Sequence, residues 1–207
     1  MIKLRKMLKD LLKNKKFREL IGFSLKNEEI LDLILFGSIV RGKEEPSDID
    51  ILILYAKKED LENNYKIKKT FEDKGFKIQV TSSTYNQLFS SEFLAREDIL
   101  LEGYSLKNGK SISSQYGLSS FILFRYSLKN MNDSQRMQFY YSLKGRNKEE
   151  GVLSKYNSYK ISDNIIISLT EDSEKIKEFL TAKKIDFDEI KILIPKRIAN
   201  KKLLEVK

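Results

Sequence analysis

The sequence of 207 residues contains no cysteine and no histidine. Without cysteine there is no disulfide, no thiolate metal site and no cysteine nucleophile. Without histidine the commonest general base is missing, and with it His-ligated zinc and any serine–histidine arrangement. Long apolar runs are missing too. No stretch approaches the roughly 20 residues of a membrane span and no signal peptide is visible, so the expected location is the cytoplasm. Chemistry is left to carboxylates, hydroxyls, lysines and any metal they hold. Hydrophobic residues at 41% and aromatics at 11% suffice for a packed core, in one large domain or two small ones.

The formal charge is +9 and unevenly spread. Residues 1–24 carry eight Lys/Arg against two acids, residues 25–116 thirteen against sixteen, and residues 117–207 eighteen against twelve. A mildly acidic middle between basic flanks suits a polyanionic partner, although many Lys-rich chains are simply well solvated.

The middle is organised around residues 31–54, LDLILFGSIVRGKEEPSDIDILIL. Leu31 to Phe36 reads as a buried strand, Gly37-Ser38 as its end, Pro46-Ser47 as a break, and Ile51 to Leu54 as a second buried strand. Asp48 and Asp50 stand at the mouth of that second strand, where alternation places them on one face. Two carboxylates beside apolar packing are costly unless something compensates their charge. A Mg²⁺ ion would, since it takes one or two carboxylates together with phosphate oxygens and waters. If Ser38 opens a helical turn, its hydroxyl and the backbone N–H groups can hold a phosphate. Residues 37–43, GSIVRGK, also fit the start of a phosphate loop, but Glu44 replaces the required Ser or Thr and Pro46 precludes the long helix that should follow. Arg41 and Lys43 can still contribute phosphate-binding charge, or form a solvated basic loop.

Gly37-Ser38, Arg41-Gly42 and Ser47-Asp48-Ile49-Asp50 together resemble the signature of the DNA polymerase β-like nucleotidyltransferase superfamily, and most closely its minimal prokaryotic members. The likeness spans roughly residues 25–106. It implies a mixed sheet flanked by helices, an NTP (ATP among the candidates) bound by Gly37, Ser38 and Arg41, and catalytic Mg²⁺ (or Mn²⁺) bound by Asp48 and Asp50. The family's third carboxylate lies on the next strand, where this chain has Gln79. A neutral amide there puts two-metal activity in question.

Around this stretch, residues 2–21 read as one basic amphipathic helix with Leu4, Leu8, Leu11 and Leu12 on a face, packed on the first domain or offered to nucleic acid or a membrane surface. Lys57 to Lys74 reads as a charged helix and Phe76 to Val80 as a third strand. Thr84-Tyr85-Asn86-Gln87 looks like a capping box opening a helix that runs to Glu102, and Leu106 closes the module. Asn108-Gly109 and Ser111 to Gln115 mark a boundary. The expected organisation is α+β throughout: a nucleotidyltransferase domain over 1–110, a second small domain over 117–195, and a basic tail over 196–207.

In the second half, strands at Phe121–Tyr126, Gly151–Leu153, Ile165–Leu169 and Ile190–Ile194 and helices at Ser134–Leu143 and Ser173–Ala182 give the order β-α-β-β-α-β, which suits a ferredoxin-like domain. Arg125, Tyr126, Arg136, Tyr140, Tyr141, Lys144, Arg146, Lys148, Tyr156, Tyr159 and Lys160 interleave bases and aromatics, a composition for RNA binding or for ordinary packing. Three functions follow from these readings: transfer of a nucleoside monophosphate from an NTP to an acceptor, RNA among the candidates; nucleotide or RNA binding on the same fold with catalysis lost; or an antitoxin-type transferase acting on a protein.

Overall fold

The computed structural model describes residues 6–147 and 149–199, which divide into compact units at 1–116 and 117–207. Leu4, Lys148 and tail residues 200–207 lie outside the described residues.

The first unit opens with α1 (Lys6–Lys13) and α2 (Lys15–Ser24), two helices where the apolar spacing suggested one. Asn14 makes the break: it leaves helical geometry, with ψ 120°, and its side chain accepts from the Phe17 N–H at 3.2 Å as an N-cap. Five strands follow, β1 (Ile30–Phe36), β2 (Ile49–Tyr55), β3 (Ile78–Thr84), β4 (Tyr104–Ser105) and β5 (Lys110–Ser111), arranged in the order β3-β2-β1-β4-β5. β1 pairs antiparallel with β2 and β4, whereas β2 and β3 run parallel, joined by α3 (Leu61–Asp73). A parallel pair needs such a crossover. Helix α3 begins later than its charge pattern suggested because Asp60 caps it, accepting from the Asn63 N–H at 3.0 Å.

Alternation along the strands sorts the apolar residues onto two faces. Leu33, Leu35, Ile51, Ile53 and Tyr55 pack with Leu8, Phe17, Leu20, Ile21, Ile67 and Phe71 from α1, α2 and α3. Phe17, Phe71 and Phe76 meet edge to face at 5.3 to 6.4 Å. Burying rings of this kind contributes roughly 1.5–3 kcal/mol each. Ile34, Leu52 and Leu54 point to the other face, against α4 (Tyr85–Leu88), α5 (Arg96–Glu102) and α6 (Ile112–Gln115). The expected capping box is present, Thr84 and Gln87 exchanging both bonds, but it opens the four-residue α4 only. The chain then turns through Ser90–Ala95 before α5 begins.

On the α5 face lies a buried carboxylate the sequence did not flag. Asp32 is 7% exposed and accepts hydrogen bonds from Ser105 Oγ and from the Lys107 N–H at 3.1 Å. Burial outweighs these bonds and raises its pKa above the ordinary 3.8. The folded chain therefore binds more proton than the unfolded one between the two values, and stability falls as pH rises through that window. Asp32→Asn removes the titration. Its melting temperature relative to wild type is expected to climb between about pH 4 and pH 7. A difference that stays constant across that range would mean that the hydrogen bonds, not burial, dominate.

The second unit is one antiparallel sheet in the order β7-β8-β6-β9, built from β6 (Leu118–Ser127), β7 (Ser158–Ser162), β8 (Ile165–Leu169) and β9 (Asp186–Pro195). Helices α7 (Asp133–Lys144) and α8 (Val152–Lys155) precede β7, and α9 (Ser173–Ala182) precedes β9. This is the split β-α-β arrangement of ferredoxin-like folds. The stretch read as a strand at Gly151–Leu153 is instead the start of α8, and the second strand lies further on at β7. Gly151 approaches so closely that a Cβ there would collide with the backbone of Leu143, Lys144 and Gly145, so the chain is turning back on α7 at that point. Ile122, Phe124 and Tyr126 from β6 pack with Phe139, Leu143, Ile176 and Leu180 from α7 and α9. Among the described residues, no helix is long and apolar enough to cross a membrane.

Candidate active site

The connection from β1 to β2 carries the polar residues that the sequence singled out. Phe36, the last residue of β1, pairs with Asp50 near the start of β2. Between them Gly37–Ile39 forms one turn of 3₁₀ helix, closed by the Val40 N–H donating to the Gly37 carbonyl at 3.1 Å. Gly37 has φ +74°, a conformation that a side chain disfavours. The space is closed as well: a Cβ on Gly37 would overlap the Asp50 carboxylate oxygen. Glycine thus lets the turn lie directly against Asp50, and Ser38 follows it, half-buried, at the start of the turn.

Asp50 shares the face of Leu52 and Leu54, on the α5 side of the sheet, and is itself half-buried. Burial is the largest influence on its pKa and raises it. The neighbouring Asp48 carboxylate raises it further, Arg41 acts the other way, and Glu102 adds another upward push. Asp48 also accepts from Ser47 Oγ at 3.0 Å. The structure therefore brings together Gly37, Asp48, Asp50 and Arg41, with Ser38 in the adjoining turn.

Glu102 is the residue that sequence reasoning could not place. It ends α5 with its side chain fully buried, and its Oε2 accepts from Arg41 Nη1 at 2.7 Å. An uncompensated carboxylate there would be strongly destabilising, so Arg41 is tied to this position. Its guanidinium is largely buried, bonded to Glu102 and near enough to Asp50 to act on its charge, rather than sitting in a solvated basic loop. Nothing local in the sequence pairs residues so far apart. The available signal was an acid directly after an apolar run at the end of a helix, Ile99-Leu100-Leu101-Glu102.

Gln79 lies beside Asp50 in the parallel register of β2 and β3, so its side chain leaves the same face of the sheet. It is exposed. Among the described residues there is no group of three or more Asp, Glu, His or Cys placed to hold a metal. The donor set is thus the pair Asp48 and Asp50, with an amide beside it. That pair still suits a hard divalent ion. The charged form of Asp50 is disfavoured by burial and by Asp48, and a cation between the carboxylates would relieve both effects.

A mixed sheet with helices on both faces, a glycine-serine turn and paired aspartates at the mouth of the next strand together define a nucleotidyltransferase-type domain. Residues 18–109 match the family described as polymerase beta, nucleotidyltransferase, and this segment belongs to the DNA polymerase β-like nucleotidyltransferase superfamily. Members of that superfamily generally depend on a divalent cation. No curated protein matches the chain.

Proposed function

We propose that the protein is a metal-dependent nucleotidyltransferase that moves a nucleoside monophosphate from an NTP to an acceptor hydroxyl on RNA, a protein or a small molecule. The observation that carries this reading is the turn at Gly37 lying against Asp50, which brings the glycine-serine turn beside two neighbouring carboxylates. Asp48 and Asp50 would hold Mg²⁺ or Mn²⁺. When bound, the ion supplies positive charge to the phosphate oxygens and stabilises the departing pyrophosphate.

The chain's own residues do the rest. Gly37 and Ser38 receive the triphosphate, the glycine by letting the backbone approach and the serine through its hydroxyl. Arg41, held by Glu102, keeps a fixed positive charge beside the aspartates. The acceptor oxygen then bonds to the α-phosphorus in line with the breaking bond to the β-phosphate, pyrophosphate leaves, and the acceptor proton passes to a carboxylate or to water.

A second reading is nucleotide binding on this fold without transfer, favoured by the neutral Gln79 beside Asp50. One experiment separates the two. The protein is incubated with each α-labelled NTP, Mg²⁺ or Mn²⁺, and total cellular RNA or protein, with nucleotide binding measured in parallel. Label in a macromolecule supports transfer. NTP binding with no labelled product in any fraction, small molecules included, supports the second reading. If neither binding nor label is seen, both are wrong.

A further inference from the structure

Helix α7 turns Phe139 and Leu143 inward, to 3% and 1% exposure, and this fixes what its flanks present. Tyr140 and Tyr141 remain 40% and 37% exposed, and Met137, one turn earlier, 52%. The two tyrosine rings stand 6.3 Å apart at 67°. Lys144 lies over the Tyr140 ring at 5.0 Å, and β7 brings Lys160 to the same ring at 5.8 Å. Arg146 lies over Tyr141 at 4.9 Å. It sits in the short loop whose neck is the close approach of Gly145 and Gly151, so the fold holds that cation beside the helix. Lys160 is also paired with Asp163 at 2.8 Å. Lys144 and Arg146 have no carboxylate partner among the described residues.

The fold also removes several residues from the basic and aromatic set. Tyr126 is buried with its hydroxyl donating to the Asp163 carbonyl, Arg125 is paired with Asp188, and Arg136 donates to the Met131 carbonyl. Tyr156 and Tyr159 are partly buried against apolar clusters, and Lys148 lies outside the described residues. What remains exposed is compact: two rings with Lys144 and Arg146 over them, and the Asp163-paired Lys160 at their edge.

We propose that this outer face of α7, with Arg146 and with Lys160 of β7, binds single-stranded nucleic acid. Unpaired bases have free faces that stack on aromatic rings, and their phosphates meet the flanking cations. A duplex hides those faces in its own stack, so the rings would add nothing to its binding. An acidic peptide would engage the cations and leave the rings idle. A membrane would want aliphatic side chains to insert, and here the exposed apolar atoms are mostly tyrosine and one methionine. The surface gives the proposed transferase a class of acceptor, and to that extent it rests on the reading above. The binding itself does not depend on the aspartate site.

The test uses the full chain, a fluorescein-labelled 12-nucleotide oligo(U), and anisotropy without NTP or metal. Tyr140→Leu and Tyr141→Leu keep apolar bulk and remove the rings. Each is expected to weaken binding by roughly five- to a hundredfold with little change in salt dependence. The double variant Lys144→Gln/Arg146→Gln should instead flatten the plot of log affinity against log salt by about 0.7 per lost contact. Circular dichroism confirms that each variant is folded. Absence of oligo(U) binding overturns the proposal. So does equal affinity for a duplex or for heparin that both tyrosine variants leave unchanged, which would mark a general polyanion surface, and so does binding confined to anionic vesicles. MgNTP binding, titrated separately on the same variants, reports on the aspartate site alone. Its loss in wild type would count against the transferase and not against this surface.

Discussion

Asp50→Asn is expected to abolish Mg²⁺-dependent NTP binding and transfer while leaving a folded and slightly more stable protein. The two effects have one cause. Folding places the Asp50 carboxylate in a half-buried position next to Asp48, which raises its pKa. The charged form is therefore disfavoured in the folded chain. This penalty is absent below the ordinary carboxylate value and grows as pH rises through the raised one. An amide removes the penalty and, with it, the charge that attracts the cation. Loss of a residue that merely supports a metal ligand costs about 10–100-fold, so loss of the ligand itself is expected to cost roughly a hundredfold or more. Fluorescent-NTP titration with and without Mg²⁺, together with thermal melting at pH 7, measures both effects. Full nucleotide affinity in Asp50→Asn and in Asp48→Asn would show that these residues are not the metal site. A lower melting temperature would show that Asp50 is held by favourable partners and not by the need for a cation.

Gln79→Glu is expected to raise transfer at least about tenfold while changing NTP affinity little, a small part of the rate range that electrostatic stabilisation spans. The parallel register sets Gln79 beside Asp50 on the same face, so a carboxylate there would join the existing pair. Two cations close together repel, and the negative charge around them limits how firmly the second is held. The pair together with nucleotide phosphates would supply the negative charge for one ion. A third carboxylate would steady an ion at the acceptor hydroxyl, where only the chemical step feels it. Without metal the added charge crowds Asp48 and Asp50, so the variant should melt lower than wild type and gain more on addition of Mg²⁺. If neither the rate nor the Mg²⁺-dependent melting shift changes, position 79 is not part of the site. Glu102 is then the carboxylate to examine, since it is buried beside Asp50 and paired with Arg41. Glu92 is exposed in the turn before α5 and has no such claim.

Local pattern made much of this legible. The apolar runs on either side of the glycine-serine turn are β1 and β2, and the capping box at Thr84 is present. So is the β-α-β-β-α-β order of the second unit, apart from the place of its second strand. What the sequence hid falls into two kinds. Breaks such as Asn14 and the turn after α4 were masked because the apolar spacing runs on across them; at Asn14 a single capping side chain decides where the helix starts, whereas α5 begins after Ala95 without a side-chain cap. Partnerships made by the tertiary fold were hidden altogether. Arg41 finds Glu102, Asp32 finds Ser105, and Tyr140 finds Lys160 only after the sheets have formed. No spacing rule connects such residues. In the first two cases the clue was a charged residue amid apolar neighbours, which says that a partner exists without saying which.

The pairing of Phe36 with Asp50 has a consequence for the order in which the molecule assembles. Gly37, Ser38, Arg41, Asp48 and Asp50 all lie within, or at the end of, the single return between two adjacent antiparallel strands, and loops of about ten residues close in roughly 10–100 ns. Glu102 must cross a far longer stretch of chain, after α3 and β3 have been laid down. On a growing polypeptide the aspartates and the turn can therefore meet while α5 is still unmade. The arrival of α5 then brings Glu102 to Arg41. A truncation that ends before α5 would keep every residue of the motif and still lack the anchor that holds Arg41 in place.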